Sequence, residues 1–246
     1  MKYFNLIVSV GAVLIVTLVI TASSLVYQPV GATNNQYYQY RALHNRDGIG
    51  KYYLGREIAK VMGHQEFLWL ERPSREVEEQ PSKVIEAVNL QPSDVIADIG
   101  AGSGYFSFRL AQQVPLGQVY AVDIQPEMID ILDFLAQESP HLPVVPVLGS
   151  EISPNLPPES INFALMVDTY HEFTYPREMM EAIVKALKPQ GRVILVEYRK
   201  ENPLIMIKGA HKMTERQVKK EMKAVGLKWV TTAEFLPQQH YLVFEK

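Results

Sequence analysis

The chain has 246 residues, the length of one large domain or of one domain with an extension. Its formal net charge of −3 gives no basic field for a polyanion, so the composition argues against nucleic acid as a partner. Cysteine is absent, which excludes disulfides, thiolate metal ligands and cysteine nucleophiles.

The first region, residues 1–32, is dominated by an uncharged apolar run at residues 6–27. As a helix, about 22 residues extend about 33 Å, enough to cross the hydrocarbon core of a membrane. The run is long for the core of a signal peptide, so we predict an uncleaved membrane anchor. The alternative is a cleaved signal peptide, since small residues at 22–24 and 30–32 fit a cleavage site.

Residues 33–80 are predicted to form a tether followed by a helical lid. Two glycines in the stretch 47–51 predict a turn, and apolar residues recur at helical spacing over 52–62. The apolar residues at 67–70 then predict a hydrophobic plug against the core. We expect this region to cover a cleft in the domain that follows; a packing cover without substrate contact is the alternative.

The most informative stretch lies at residues 95–111, VIADIGAGSGYFSFRLA, after a predicted helix over 81–88. Its first five residues predict a buried strand of a parallel sheet. Glycines follow at 100, 102 and 104, and apolar residues at helical spacing over 105–111 predict a helix. Since glycine has no Cβ, a ligand can approach this turn closely and meet the free N–H groups of the helix.

The glycine spacing separates the candidate cofactors. A dinucleotide fingerprint requires glycine at 105, where this chain has tyrosine. The observed pattern is D-x-G-x-G-x-G, and the Asp98 carboxylate suits a ligand with an ammonium group better than a pyrophosphate. The pattern resembles the first motif of class I S-adenosylmethionine-dependent methyltransferases. The resemblance implies that Asp98, Gly100, Gly102 and Gly104 bind S-adenosylmethionine; an ordinary nucleotide-binding or structural turn is the alternative.

The second predicted strand, Gln118–Asp123, ends on an acid about 20 residues beyond the glycines. In nucleotide-binding α/β folds, an acid at this place accepts hydrogen bonds from ribose hydroxyls, so we assign that role to Asp123. Ile124 beside it is expected to form an apolar wall for the adenine ring. The alternative for Asp123 is an N-cap of the helix predicted from Pro126.

The third predicted strand, Val144–Leu148, is followed by Ser150 and Glu151. In the methyltransferase family, an acid or amide in this turn contacts the adenine amino group. The family commonly has Gly-Asp here, so Ser150 is a departure from the pattern. We therefore assign the adenine contact to either Ser150 or Glu151.

The fourth predicted strand, Ile161–Val167, leads into a polar turn whose position in the fold faces the methyl group. We assign Asp168 to the cofactor, and Tyr170, His171 and Glu172 to the acceptor. His171 has the pKa of a general base, and Glu172 could tune it. The alternative is that His171 and Glu172 only cap the next helix. No metal is predicted, because no further ligands stand at a convincing spacing from His171.

The remaining elements complete the predicted fold. A fifth strand over 192–197 brings Glu197 and Tyr198 to the same edge as secondary substrate candidates, and His211 is expected in a loop. The last two strands are joined by a short turn, which forces them antiparallel, as in the family's terminal hairpin. The prediction is an α/β fold: a doubly wound seven-stranded sheet over 81–246, mostly parallel with an antiparallel C-terminal hairpin.

The predicted function is methyl transfer from S-adenosylmethionine to a small-molecule or lipid-like acceptor. Because this cofactor is made in the cytosol, we expect the domain on the cytosolic face of a membrane bound through residues 6–27. Export after cleavage of a signal peptide is the alternative. The alternative functions are a tethered non-catalytic binding module and a nicotinamide-dependent oxidoreductase. The oligomeric state is left open.

Overall fold

The structure, a computed structural model, describes residues 36–246, except for the side chains of Glu66 and Phe67. The predicted anchor or signal peptide at 6–27 and the start of the tether lie outside the described residues. Within 36–246, no helix has the length and apolar character needed to cross a membrane.

Ten strands and six α-helices make up the described fold. The strands are β1 (Tyr38–Tyr40), β2 (Gly48–Tyr53), β3 (Arg56–Ala59), β4 (Val95–Ile99), β5 (Gln118–Asp123), β6 (Val144–Leu148), β7 (Ile161–Val167), β8 (Leu187–Tyr198), β9 (Lys228–Ala233) and β10 (Gln239–Glu245). The helices are α1 (Arg75–Glu78), α2 (Pro81–Val88), α3 (Ser107–Ala111), α4 (Pro126–Glu138), α5 (Pro176–Ala186) and α6 (Glu215–Ala224). Short 3-10 helices cover His64–Trp69, Tyr170–Glu172 and Gly209–His211.

Seven strands form the main sheet in the order β6-β5-β4-β7-β8-β10-β9. The first five of these are parallel, and β10 runs antiparallel between β8 and β9. This confirms the predicted sheet and its antiparallel C-terminal hairpin. The observed β8 begins five residues before the predicted strand, at Leu187.

Helices cover both faces of this sheet, which makes it doubly wound. Met180 and Ile183 of α5 pack in a core on one face, and Val84 of α2 and Leu110 of α3 pack in a core on the other. The central strand β4 is almost completely buried between them. Parallel strands end at the same edge, so the turns after β4, β5 and β7 are brought together there.

The helix predicted over 52–62 is wrong. Strands β1, β2 and β3 form an antiparallel sheet, here called the N-terminal sheet. Leu54 and Gly55 both have positive φ, 49° and 96°, and connect β2 to β3 as a two-residue hairpin loop. The residues over 52–59 therefore form parts of two paired strands, and Tyr53 and Ile58 lie with Tyr38 in the core of this small sheet.

A buried ion pair joins the N-terminal sheet to the main domain. The guanidinium of Arg56 on β3 donates to both carboxylate oxygens of Glu221 on α6, at 2.8 and 2.9 Å. Its Nη1 donates to the backbone oxygen of His171 at 2.9 Å, and Tyr170 Oη donates to Glu221 Oε2 at 2.7 Å. Both charged side chains are buried, so each depends on the other.

We expect Arg56→Met to lower the free energy of unfolding by about 3–5 kcal/mol, because it leaves the Glu221 charge buried without a partner. Urea unfolding followed by circular dichroism measures this. The control is Lys219→Met, which removes the half-exposed ion pair with Glu215 and should cost less than about 1 kcal/mol. Equal effects of the two substitutions would contradict the importance of the Arg56–Glu221 pair.

Candidate functional site

A cavity of about 530 Å³ opens at the edge where β4, β5 and β7 end, a size typical of small-molecule sites, which span about 300–1,000 Å³. Most of the residues predicted for the site lie in its wall. These are Gly100, Gly102, Asp123, Ile124, Glu151, Asp168, His171 and Glu172.

The glycine turn gives the cavity a bare backbone wall. Gly100 and Gly102 have φ of 77° and 54°, which disfavours other residues. A Cβ on Gly102 would lie 2.7 Å from Leu70 Cδ1, and one on Gly100 would overlap the Thr169 side chain. The positive φ angles and these close neighbours favour glycine at both positions and leave the backbone of the turn bare.

Three residues predicted to bind the cofactor lie outside the cavity wall: Asp98, Gly104 and Ser150. Asp98 is buried beneath the turn, where it accepts a hydrogen bond from Ser107 Oγ at 2.6 Å. Gly104 packs against Phe108, and Ser150 bonds within its own turn to the Ser153 carbonyl. Asp98 therefore attaches the end of β4 to α3 and supports the turn from below.

The Asp123 carboxylate lies in the cavity wall beside the glycine turn. Its Oδ2 accepts from the Gly102 N–H and its Oδ1 from the Gln125 N–H, both at 2.9 Å. Burial raises the pKa of this carboxyl, although three backbone N–H groups oppose the rise. Each oxygen keeps a free lone pair for a hydroxyl of a ligand. The hydrogen bond to Gln125 is a local turn, and Asp123 does not cap α4.

Asp168 offers an acceptor oxygen that the described protein leaves without a donor. Its Oδ2 accepts from Gln239 Nε2 at 2.6 Å, whereas its buried Oδ1 has no hydrogen-bond partner within 36–246. Burial, with the nearby Glu79 and Glu197 carboxylates, raises the pKa of Asp168 well above its ordinary value. A donor such as the ammonium group of S-adenosylmethionine fits this oxygen.

At one end of the cavity, His171, Glu172 and His211 come together; we call them the histidine cluster. His171 Nε2 lies 3.1 Å from His211 Nδ1 and 3.7 Å from Glu172 Oε1, and His211 Nδ1 lies 3.2 Å from the same oxygen. The other His171 nitrogen, Nδ1, lies 2.6 Å from Glu197 Oε2. Sequence spacing indicates no further ligand near His171, but the fold brings His211 to it across 40 residues.

The charge of His171 differs from that of a general base, which must be neutral to accept a proton. Burial lowers the pKa of His171, but Glu197 and Glu172 raise it more, to about 10. Burial raises the pKa of Glu172, but hydrogen bonds with His171 and His211 lower it more, to about 2. By itself the chain therefore holds His171 as a cation and Glu172 as an anion at neutral pH, and His171 is not a neutral base.

Tyr170 does not face the acceptor as expected. Its side chain is fully buried outside the cavity wall, and its hydroxyl group donates to Glu221. Tyr170 and His171 are successive residues of one 3-10 turn, so their side chains point to different sides. After β7, the side chain of His171 therefore points into the cavity, and the side chain of Tyr170 points into the core.

Residues 60–79, which we call the cover, form the outer wall of the cavity. The Met62 N–H donates to Glu172 Oε2 at 3.0 Å, and the His64 N–H donates to Gln125 Oε1 at 2.9 Å. Leu70 packs against Gly102, but Leu68 and Trp69 are 69% and 47% exposed, so the predicted plug is not buried as a whole. These contacts attach the cover to the outer side of the cavity.

Two charged residues of the cover were missed from the sequence. Arg75 Nε donates to Glu79 Oε2 at 2.9 Å, Arg75 Nη1 donates to the Leu70 carbonyl at 2.8 Å, and both side chains line the cavity. Tyr198, a secondary candidate, also lines it and donates to Glu79. The i,i+4 spacing of Arg75 and Glu79 is the pattern that could have indicated them.

The comparisons with known proteins agree with this geometry. Residues 97–195 match the family model described as methyltransferase domain. The chain carries a class I S-adenosylmethionine-dependent methyltransferase domain. The cofactor of this family is S-adenosylmethionine.

Relatives and solved structures show the same likeness. An uncharacterized methyltransferase-like protein of Schizosaccharomyces pombe is 30% identical over 148 residues, which are 60% of this chain and 54% of that protein. A methyltransferase structure from Aquifex aeolicus is 22% identical with a TM-score of 0.70, covering 75% of this chain and 99% of that one. A Burkholderia thailandensis N1-methyltransferase is 17% identical with a TM-score of 0.54, covering 78% and 96%. The match spans only about half of the S. pombe protein, and the two structures support the fold alone.

The buried carboxyl group of Asp98 makes stability depend on pH. Burial raises the pKa of Asp98 from 3.8 to about 6, so the folded state binds this proton more tightly than the unfolded state. Stability due to Asp98 is therefore greatest at low pH and falls as pH rises from about 4 to about 6. Relative to Asp98→Asn, the wild type should lose about 3 kcal/mol across this window in urea titrations. Parallel pH profiles would contradict the assignment.

Proposed function

We propose that this chain transfers a methyl group from S-adenosylmethionine to a small, apolar or lipid-like acceptor bound beside the histidine cluster. The proposal rests on one observation: a single cavity joins Asp123 and Asp168, which fit the cofactor, to the polar groups of the histidine cluster. Cofactor and acceptor would then meet in one space enclosed by the cover.

The proposed position of the cofactor is based on the hydrogen-bond acceptors in the cavity wall. Asp123 would accept from the ribose hydroxyls, and Asp168 Oδ1 would accept from the ammonium group. Ile124 and Met128 line the same cavity and supply apolar surface for the adenine ring, with Glu151 nearby. Asp123, Ile124, Glu151 and Asp168 would thus contact the cofactor directly. Asp98 and Gly104 would support the glycine turn instead.

When bound, S-adenosylmethionine supplies an already electrophilic methyl group, so the protein mainly positions the two reactants. The fixed orientation of His171 suits this task, because Glu197 holds one ring nitrogen and Arg56 holds its backbone carbonyl. The Met62 N–H fixes Glu172 in the same way. The cover forms the outer wall of the space between these groups.

The acceptor class is inferred from the surface around the opening. Val61, Trp69 and Met206 belong to the cavity wall and are exposed, and Met206 is 94% exposed. Exposed apolar groups at a concave site favour an apolar ligand. The Burkholderia thailandensis structure holds 1,6-didemethyltoxoflavin with S-adenosylhomocysteine, which gives a precedent in this fold for a small acceptor.

Incubation of the protein with tritiated S-adenosylmethionine and membrane lipid extracts tests the proposed acceptor class. The methylated product should carry the label into the organic phase, and label that stays in the aqueous phase would contradict an apolar acceptor.

We expect Asp123→Ala to weaken S-adenosylmethionine binding by about 10–100-fold, because hydrogen bonds to a carboxylate contribute about 1.5–3 kcal/mol. Isothermal titration measures this. The control is Asp130→Ala, which removes the same charge from an exposed position on α4 and should leave affinity unchanged. Equal affinity of a folded Asp123→Ala protein and the wild type would rule out the ribose role.

A further inference from the structure

We propose that the histidine cluster is a binding site for a divalent first-row transition-metal ion. The ligand atoms are His171 Nε2, His211 Nδ1 and Glu172 Oε1, with mutual distances of 3.1, 3.2 and 3.7 Å. All three residues line the cavity. The ion would therefore lie at the acceptor end of the site.

The distances between the three atoms match a shared ion. Metal bonds to imidazole nitrogen and carboxylate oxygen are about 2.0–2.2 Å long, which puts ligands of one tetrahedral or octahedral ion about 3–3.5 Å apart. Two of the three distances fall inside that range, and the third, between His171 and Glu172, exceeds it by a few tenths of an ångström. A small rotation of the Glu172 carboxylate is enough to close the site.

Each outer partner leaves the correct atom free for the metal. Glu197 Oε2 lies 2.6 Å from His171 Nδ1, so Nδ1 keeps its proton when an ion displaces the proton on Nε2, the nitrogen that faces His211. A carboxylate behind a histidine is the usual support of a metal ligand. Glu172 Oε2 accepts from the Met62 N–H, which leaves Oε1 for the ion.

The alternative occupant of this space is a proton. One proton between His171 and His211 satisfies those two nitrogens, and Glu172 Oε1 then has only the longer contacts of 3.2 and 3.7 Å with them. A divalent ion satisfies all three atoms at once and releases the protons that they hold. Metal binding at the histidine cluster should therefore release protons into the buffer. If the cluster only holds a proton, adding metal should release none.

The donor set indicates which ions fit and what they would bind. Two imidazoles and one carboxylate are typical of zinc and of other first-row ions, and hard magnesium prefers oxygen ligands alone. Three protein ligands leave a coordination position for a substrate. This inference rests on the proposed methyl transfer: the acceptor would carry a hydroxyl group that binds the ion. The bound hydroxyl group would lose its proton to solvent more easily than a free one.

A second group must be separated from this site in any titration. Glu215, Glu234 and His240 also lie close enough together to hold a cation, but Glu234 is exposed and His240 is engaged by Glu201 at 2.9 Å. His240→Gln removes this group without touching the cavity. It is therefore the matched control for substitutions in the histidine cluster.

The test is a Zn²⁺ titration of the full chain, purified in detergent and stripped of metal, by calorimetry in two buffers of different protonation enthalpy. We expect the wild type and His240→Gln to bind one ion tightly with proton release. His211→Gln should weaken binding at least 100-fold, because loss of a ligand costs more than the ~10–100-fold of an outer partner. Glu197→Gln, which changes a positioning residue, should weaken it ~10–100-fold.

S-adenosylmethionine binding is measured on the same samples, and thermal unfolding checks that each variant is folded. Wild-type Zn²⁺ affinity no better than that of folded His211→Gln overturns the metal site, whatever the cofactor does. Loss of the tight ion in His240→Gln also overturns it, since the ion would then be at the other group. Tight Zn²⁺ binding without S-adenosylmethionine binding supports the metal site and contradicts the proposed methyl transfer.

Discussion

The site depends on how the glycine turn stays attached to β5. The backbone oxygen of Val122 accepts hydrogen bonds from the Gly100 and Ala101 N–H groups, at 2.8 and 2.9 Å, just beyond the paired part of β4 and β5. The next amide, of Gly102, donates to Asp123. These contacts fix the bare backbone and the Asp123 carboxylate at one wall of the cavity. A ligand that fits the turn therefore meets the acid without rearrangement of the chain.

The acceptor end is held by elements outside residues 97–195, the part matched by the family model. Arg56 on β3 binds both Glu221 and the His171 carbonyl, the cover binds Glu172, and His211 comes from the 3-10 turn after β8. The glycine turn and Asp123 lie within the matched range, whereas the N-terminal sheet and the cover lie outside it and contact the histidine cluster, the proposed acceptor end. Substrate choice is expected to follow those added elements.

The sequence predicted the sheet, and it indicated the cavity residues around the glycine turn, because their patterns are local. Apolar runs followed by glycine or an acid identify strand ends, and topology alone brings Asp123 next to the glycine turn. The helix predicted over 52–62 is wrong because the Leu54-Gly55 hairpin loop reverses the chain between β2 and β3. The histidine cluster depends on contact between residues 171 and 211, which no local period encodes. Asp98 illustrates a third case, a motif residue whose burial became clear only from the packing around Ser107.

The most direct test of this account is a crystal structure of the protein with S-adenosylhomocysteine, the demethylated form of the cofactor. The account predicts ligand density in the cavity, with ribose hydroxyls within hydrogen-bond distance of the Asp123 carboxylate and the amino group at Asp168 Oδ1. The homocysteine sulfur should lie on the side of the histidine cluster. Density elsewhere on the protein, or a ribose turned away from Asp123, would contradict the central claim.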